Sequence, residues 1–289
     1  MNDKRAPRRT QDGELYSGRS AHHSITVEDK DGVRVMRFGG RLQSAADVET
    51  LSDARTPAQD YLHIPMALRP QAKRMLMIGL GGGILAKTML RDYPELHIDV
   101  VEVDPVVVSV AQQYFDLPST ERLNIIIGDG REYLEGIESS YDIIILDALF
   151  EAYTPFCFAT REYLQMVRTK VTHGGIYAHN ANGYYEGPQS QTLWRYLRGI
   201  HDAFADVHVF GVTPVFNRDP GKSNLVVIAS DTVRTSAEVA AAVRGRGGGV
   251  VSIEDFPRFA DDLRPARTDW GGIGSLSDAE APPDGLLHS

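Results

Sequence analysis

The sequence predicts an α/β fold, namely a Rossmann-like, seven-stranded, doubly wound sheet preceded by a small antiparallel β domain. Short apolar segments typical of strands buried on both faces of a parallel sheet recur along the chain. Segments with helical spacing of apolar residues separate them, which indicates parallel strands joined by helices. A glycine-rich turn, from Gly79 to Gly83, lies between the first buried strand and its helix, where such folds bind a ligand.

The composition of the chain limits its class. With 289 residues, of which 42% are hydrophobic, it can bury a full core. Its single cysteine, Cys157, excludes an internal disulfide and a cysteine-rich zinc site, so we expect a cytoplasmic protein and no metal. No apolar run approaches the roughly 18 residues that cross a bilayer, so no membrane partner is expected. The net charge of -9 argues against a nucleic-acid partner.

The pattern divides the chain into four parts. Residues 1–14 are basic and polar and are predicted to be a disordered lead. Residues 15–60 are predicted to form a small β-hairpin domain, because apolar residues alternate on both sides of an Asp31-Gly32 turn. An exposed hairpin can pair across a dimer, so we expect a homodimer. Residues 61–270 are predicted to form the Rossmann-like domain, and residues 271–289, rich in Gly, Ser, Asp and Pro, a disordered tail.

The predicted elements of the larger domain follow in order. Helices are expected between successive strands, with Asp104, Thr160 and Thr235 at the first turns of three of them. A His173-Gly174-Gly175 turn is predicted to end the helix that begins at Thr160. The seven buried strands are predicted over 75–78, 97–102, 123–127, 141–146, 176–180, 207–212 and 224–229.

Acidic residues follow three of these strands. Glu102 ends the second strand about 20 residues after the glycine turn, the spacing at which an acidic side chain meets ribose hydroxyls. Asp129, with Gly130, follows the third strand, and Asp147 follows the fourth. Each acid alone could simply cap a following helix. Because the carboxyl ends of parallel strands meet at one edge, the set predicts a nucleoside site, with Glu102 on the ribose and Asp129 on the exocyclic amine of adenine.

The glycine turn narrows the choice of nucleoside. A dinucleotide fingerprint requires a third glycine where this chain has Ile84. No complete phosphate-binding Gly-x-x-x-x-Gly-Lys-Ser/Thr pattern occurs, so an ATP loop is not expected either. An adenosyl sulfonium needs no pyrophosphate cradle, and acidic neighbours favour its positive sulfur. Gly79, Gly81 and Gly82 would then lie beside its amino-acid-like tail.

From about residue 24 to 229 the chain resembles the spermidine synthase family of aminopropyltransferases. The small β domain before the Rossmann-like domain is also similar to that family. The motifs that carry the resemblance are Leu42-Gln43-Ser44, His63-Ile64-Pro65, Val101-Glu102-Val103-Asp104-Pro105, Gly128-Asp129-Gly130, Tyr141-Asp142-Ile143-Ile144-Ile145-Leu146-Asp147 and Gly174-Gly175.

The resemblance implies a fold of the S-adenosylmethionine-methyltransferase type. It also implies decarboxylated S-adenosylmethionine as the co-substrate, no tightly bound cofactor, and a small-molecule amine such as putrescine as acceptor. Gln43, Glu102, Asp129 and Gly130 would hold the nucleoside, and Asp147 would be the proton acceptor. An amine with a pKa of about 10 is protonated at neutral pH, so it needs such a carboxylate before it can attack.

The chain departs from the family on the amine-binding side. Gly82 stands where the family has an aspartate that holds the donor's amine, and Phe150 where it has a second carboxylate. Pro57 and Ala58 replace a Tyr-His pair. Glu151, one residue beyond Phe150, and Tyr153 are the further predicted substrate contacts.

These departures leave two alternatives to aminopropyl transfer. Without the aspartate, a donor that carries a carboxylate is no longer repelled, so the chain could be an S-adenosylmethionine-dependent methyltransferase of the spermidine-synthase-like class. The other alternative is a non-catalytic nucleoside-binding module.

Overall fold

The described part of the chain forms two β-sheets flanked by helices. The computed structural model describes residues 12–51, 56–148, 154–212, 222–246, 252–267 and 269–287. One sheet is antiparallel with four strands, and the other is mixed with seven. Both belong to the predicted fold class, which is confirmed. Within the described ranges, no helix is long and apolar enough to cross a bilayer.

The smaller sheet is a meander in which each strand pairs with the next along the chain. Asp31 and Gly32, both at positive φ, make the predicted tight turn between the second and third strands. The first strand begins at Gly13, inside the predicted lead of residues 1–14, whose first eleven residues lie outside the described ranges. The four strands are β1 (Gly13–Arg19), β2 (Ser24–Lys30), β3 (Val33–Phe38) and β4 (Arg41–Asp47).

The larger sheet has the predicted seven strands in the order β7-β6-β5-β8-β9-β11-β10. Neighbours from β7 to β9 run parallel, and β11 is antiparallel to both of its neighbours. Strand order reverses between β5 and β8, which is where doubly wound sheets bind ligands. The strands are β5 (Arg74–Ile78), β6 (His97–Glu102), β7 (Leu123–Ile127), β8 (Tyr141–Leu146), β9 (Val171–Tyr184), β10 (Asp206–Gly211) and β11 (Lys222–Ser230).

Helices cover both faces of this sheet, and side chains cap several of them. The Asp104, Thr160 and Thr235 side chains each accept a backbone N–H at the start of a helix, and Glu238 completes a capping box with Thr235. The helices are α1 (Pro57–Tyr61), α2 (Ile64–Leu68), α3 (Ile84–Asp92), α4 (Pro105–Tyr114), α5 (Gly130–Gly136), α6 (Arg161–Lys170), α7 (Gln191–Ala203) and α8 (Ser236–Arg244).

The predicted glycine turn after α6 lies instead within a strand. Helix α6 ends at Lys170, and β9 starts at the next residue. Gly174 has a φ of 66°, and the pairing of β9 with β8 shifts register around it, from Tyr141 opposite Val171 to Ile143 opposite Ile176. The glycines therefore form a bulge in the strand. A glycine at positive φ fits a bulge as well as a helix end, and local sequence does not distinguish the two.

The small sheet and the larger domain share one part of the core. Apolar side chains of the small sheet pack against α3 and α4 and not only against one another. The small β domain predicted for residues 15–60 is therefore joined to the larger one by common apolar contacts. This shared cluster contains Ile25, Val27, Met36, Phe38, Ala46, Ile84, Val107, Val110 and Phe115.

The C-terminal segment differs from the disordered tail predicted for residues 271–289. Leu276 and Leu287 are buried against the core of the larger sheet. The backbone of Leu287 donates to the Thr154 carbonyl at 2.9 Å, and that of Phe156 donates to the Gly285 carbonyl at 2.7 Å. Composition predicted disorder because the segment is polar, but two leucines and paired backbone groups are enough to dock it.

Candidate active site

The carboxyl ends of four adjacent strands bring the predicted site residues to one edge of the larger sheet. Ile78 at the end of β5 lies between Val101 of β6 and Leu146 of β8, and Glu102 of β6 pairs with Ile127 of β7. The glycine turn, Glu102, Asp129 and Asp147 follow these ends directly. The structure thus gathers the residues that the sequence analysis grouped, at the point where strand order reverses.

Only glycine fits at the first position of the turn. Gly79 has a φ of 97°, and a Cβ there would lie 2.4 Å from the Asp147 carbonyl oxygen. The Asp147 N–H donates to the Ile78 carbonyl at 2.9 Å. Close backbone approach therefore sets the position of Asp147 relative to the turn.

Glu102 braces the turn from the neighbouring strand. It is 7% exposed, and its carboxylate accepts the N–H of Leu80 at 2.9 Å and that of Asp104 at 3.0 Å. Burial raises the pKa of the Glu102 carboxyl, and the two backbone donors oppose that rise. A ligand hydroxyl at this edge would meet a carboxylate that the backbone already holds in place.

Asp129 caps α5 through one oxygen of its carboxylate. Its Oδ1 accepts the N–H of Arg131 at 2.8 Å and that of Glu132 at 2.9 Å. Its Oδ2 has no hydrogen-bond partner within the described ranges. The capping role and the predicted ligand role are therefore compatible, since they use different oxygens. Gly130 is required for packing, because a Cβ there would lie 2.4 Å from the Ile78 side chain.

Two exposed apolar residues beside these acids were not singled out by the sequence analysis. Val103, directly after Glu102, is 39% exposed, and Ile127, two residues before Asp129, is 50% exposed. Large apolar side chains this exposed are uncommon in the described part of the chain, where Val233 is the third. The signal in the sequence was an apolar residue at the end of a buried strand, next to or close to the acidic residue: Val103 follows Glu102, and Ile127 ends β7. Apolar surface beside carboxylates suits the face of a flat heterocycle.

Asp147 is held by an amide on β9. The Asn180 Nδ2 donates to Asp147 Oδ1 at 2.9 Å, and the Asn224 Nδ2 donates to Asn180 Oδ1 at 3.3 Å. Burial raises the pKa of the Asp147 carboxyl, and the Asn180 hydrogen bond opposes this. The sequence analysis placed Asn180 at the end of a strand and assigned it no role, because its contact with Asp147 depends on strand order.

The small sheet contributes the strand that contains Gln43. Its neighbour Ser44 is fully buried and accepts the Gly82 N–H at 2.8 Å. A Cβ at Gly82 would lie 3.1 Å from the Ser44 Cβ and 3.2 Å from the Phe115 ring, so this position is tightly packed. Gln43 is half-buried beside this contact. The other two predicted substrate contacts, Glu151 and Tyr153, lie outside the described residues.

Comparisons with known proteins identify the family. Residues 58–212 match the model of the spermine/spermidine synthase domain, and the chain belongs to this family. A polyamine aminopropyltransferase from Vibrio vulnificus is 29% identical over 174 residues, which are 57% of this chain and 58% of that protein. The chain thus spans less than two thirds of this relative's length. The predicted resemblance is confirmed.

A solved structure and a methyltransferase extend the comparison. The crystal structure of a probable spermidine synthase from Corynebacterium glutamicum is similar with a TM-score of 0.71 at 19% identity, over 93% of this chain and 97% of that one, which supports the fold. The eEF1A lysine and N-terminal methyltransferase of Mus musculus is 30% identical over 129 residues, 41% of this chain and 18% of that protein.

Proposed function

We propose that the protein is a polyamine aminopropyltransferase, which moves an aminopropyl group from decarboxylated S-adenosylmethionine to a small-molecule amine such as putrescine. Membership of the spermine/spermidine synthase family and the relatives named as polyamine aminopropyltransferases support this proposal. The observation that carries it is the position of Asp147 where strand order reverses. The Asn180 amide donates to its carboxylate, and its backbone lies directly against Gly79 of the glycine turn.

The donor would lie along the edge of the sheet. In this proposal Gly79, Gly81 and Gly82 lie beside the donor's tail. Gln43 contacts the nucleoside, and Glu102 accepts hydrogen bonds from the ribose hydroxyls. The free Oδ2 of Asp129 accepts the adenine amino group above Gly130. The exposed side chains of Val103 and Ile127 cover a face of the ring.

The chemistry is a displacement at carbon. The acceptor amine loses a proton to the Asp147 carboxylate, and its nitrogen lone pair attacks the carbon bound to the donor's positive sulfur. The new C–N bond forms as the C–S bond breaks, and the sulfur leaves as the neutral thioether of methylthioadenosine. Burial raises the pKa of Asp147 and makes it a stronger base than an exposed aspartate. Positioning of the two substrates supplies much of the rate.

Methyl transfer from S-adenosylmethionine is the second candidate. It is favoured by the packing around Gly82, where Ser44 and Phe115 occupy the space that an aspartate side chain would need. The methyltransferase relative supports the same reading. In this candidate, the donor's carboxylate would lie beside a turn that has no side-chain charge.

Calorimetric titration with both donors tests the proposal. Tighter binding of decarboxylated S-adenosylmethionine, together with release of methylthioadenosine when putrescine is added, is the expected result. Tighter binding of S-adenosylmethionine with release of S-adenosylhomocysteine would establish the methyl-transfer candidate. Binding of either donor without any turnover would leave a nucleoside-binding module.

The cellular location, the oligomeric state and the domains of the protein are proposed as follows. We propose a cytoplasmic location, consistent with the free thiol of Cys157. We also propose a homodimer, because β1 is an edge strand of the small sheet. Residues 15–60 and 61–270 are proposed as its two domains. Nucleic acid and membranes are not proposed as partners.

A further inference from the structure

The C-terminal segment, here residues 274–287, docks beside the candidate nucleoside site. Its Leu276 carbonyl accepts the N–H of Arg161 at 2.8 Å, and its Leu287 N–H donates to the Thr154 carbonyl at 2.9 Å. The segment therefore packs along the chain that follows the Asp147 strand. A side-chain ion pair joins it to α5, the helix that Asp129 caps.

That pair is formed by Arg131 and Asp278. Arg131 Nη1 and Nη2 donate to the two carboxylate oxygens of Asp278 at 2.8 and 2.6 Å. Arg131 also donates to the Cys157 carbonyl at 3.0 Å and to Glu135 at 3.2 Å. A two-point contact of this kind fixes the plane of the guanidinium as well as its charge.

The Asp129 carboxylate lies in the same charged neighbourhood. Burial raises the pKa of the Cys157 thiol to about 11, with a further contribution from Asp129 and an opposing one from Arg131. Asp129 and Arg131 lie two residues apart at the start of α5, and Asp129 Oδ1 accepts the backbone N–H of Arg131 at 2.8 Å. Within the described ranges, the Arg131 guanidinium nevertheless makes no ion pair with Asp129. Its ion pairs are with Glu135 and Asp278.

We propose that Asp278 is a positioning residue of the nucleoside site, because it holds the Arg131 guanidinium on the C-terminal segment and so leaves the Asp129 carboxylate available for the adenine amino group. This inference rests on the proposed role of Asp129 in donor binding. Without the Asp278 charge, the guanidinium would keep its contact with Glu135, and its Nη atoms would be released to turn towards Asp129 at the start of the same helix. Pairing with Asp129 would compete with the ligand for the free Oδ2.

The chain offers a matched control on the same segment. Arg195 Nη2 donates to Glu280 Oε1 at 2.7 Å and anchors the segment to α7. The side chains of this pair are 30% and 43% exposed, against 20% and 42% for Arg131 and Asp278. Glu280 Oε2 also accepts the N–H and the hydroxyl of Ser277 at 3.0 and 3.1 Å, and a glutamine keeps an acceptor oxygen for that contact. Glu280→Gln therefore removes the charge of a comparable anchor without freeing a cation beside Asp129.

The experiment is calorimetric titration of the full chain with methylthioadenosine, which occupies the donor site without reacting. Asp278→Asn is expected to weaken binding about tenfold, and Glu280→Gln to change it by less than about twofold. Adding Arg131→Gln to Asp278→Asn is expected to recover part of the lost affinity, because it removes the competing cation. A purely structural role of the segment predicts further loss in that double variant.

The outcomes separate this inference from the proposed function. If the unaltered protein does not bind methylthioadenosine, the proposed function fails and this inference fails with it. If the unaltered protein binds, three results would each overturn the inference alone: unchanged affinity in Asp278→Asn, an equal loss in Glu280→Gln, or no recovery in the double variant. Melting temperatures of Asp278→Asn and Glu280→Gln are expected to fall by similar amounts, since the two pairs are similarly exposed.

Discussion

At the residue scale, the ionised carboxylate of Asp147 serves the proposed chemistry but lowers the stability of the folded protein. Its pKa is raised above the ordinary 3.8 because burial penalises the ionised form. Its protonated form therefore contributes stability at low pH, and that contribution is lost as the pH rises through the raised pKa. A neutral side chain at this buried position would destabilise the folded protein less than a carboxylate does. A carboxylate in such a position is expected of a functional base.

Asp147→Asn is accordingly expected to abolish transfer and to raise the free energy of unfolding at pH 8. Methylthioadenosine binding should be retained, because the proposed nucleoside contacts are elsewhere. Denaturant unfolding at pH 8 and pH 5 measures the effect, and the gain over the unaltered protein should be larger at pH 8. Transfer within about tenfold of the unaltered rate would remove Asp147 from its proposed role.

Asn180→Ala tests the amide that holds this carboxylate. Loss of the 2.9 Å hydrogen bond removes a group that favours the ionised form, so the pKa of Asp147 should rise further. The acidic limb of the pH–rate profile should then move to higher pH, with smaller effects on donor binding. Asn180→Gln, which keeps the amide donor, is the control, and an unshifted profile in Asn180→Ala would argue against a positioning role.

At the element scale, the glycine turn works because two strand ends approach each other closely. Gly79→Ala should lower the free energy of unfolding by about 3 kcal/mol, since it combines backbone strain at positive φ with a clash against Asp147. Gly136→Ala, at the end of α5 with open space around its Cα, is the control and should be nearly neutral. Urea unfolding of both variants measures the difference. A neutral Gly79→Ala would mean that the turn can move away from Asp147.

The comparison between helix caps and the β9 bulge shows which elements local sequence determines. The caps at Asp104, Thr160 and Thr235 depend on residues two or three positions apart, and the structure has all three. The Gly174 bulge depends on pairing with β8 and was predicted as a helix end. A positive φ can serve either purpose, and the partner strand selects between them.

At the scale of the whole molecule, the small sheet and the larger domain share apolar core. We therefore expect thermal unfolding of the full chain to be a single cooperative transition. Phe115→Ala removes a fully buried ring at this junction. It should lower the free energy of unfolding by about 3–5 kcal/mol and lower the transition temperature, without splitting the transition in two. Differential scanning calorimetry measures both effects, and two separate transitions would show that the proposed domains unfold independently.

The sequence by itself determined the fold class, the seven buried strands and the gathering of Glu102, Asp129 and Asp147 at one edge. These follow from local periodicity and from the rule that parallel strands end together. Only the tertiary structure revealed the Asn180 contact with Asp147, the Ser44 contact with Gly82, the docking of the C-terminal segment and its ion pair between Asp278 and Arg131. Each of these joins residues far apart in the chain, and such contacts depend on strand order and packing, which no local pattern of residues records.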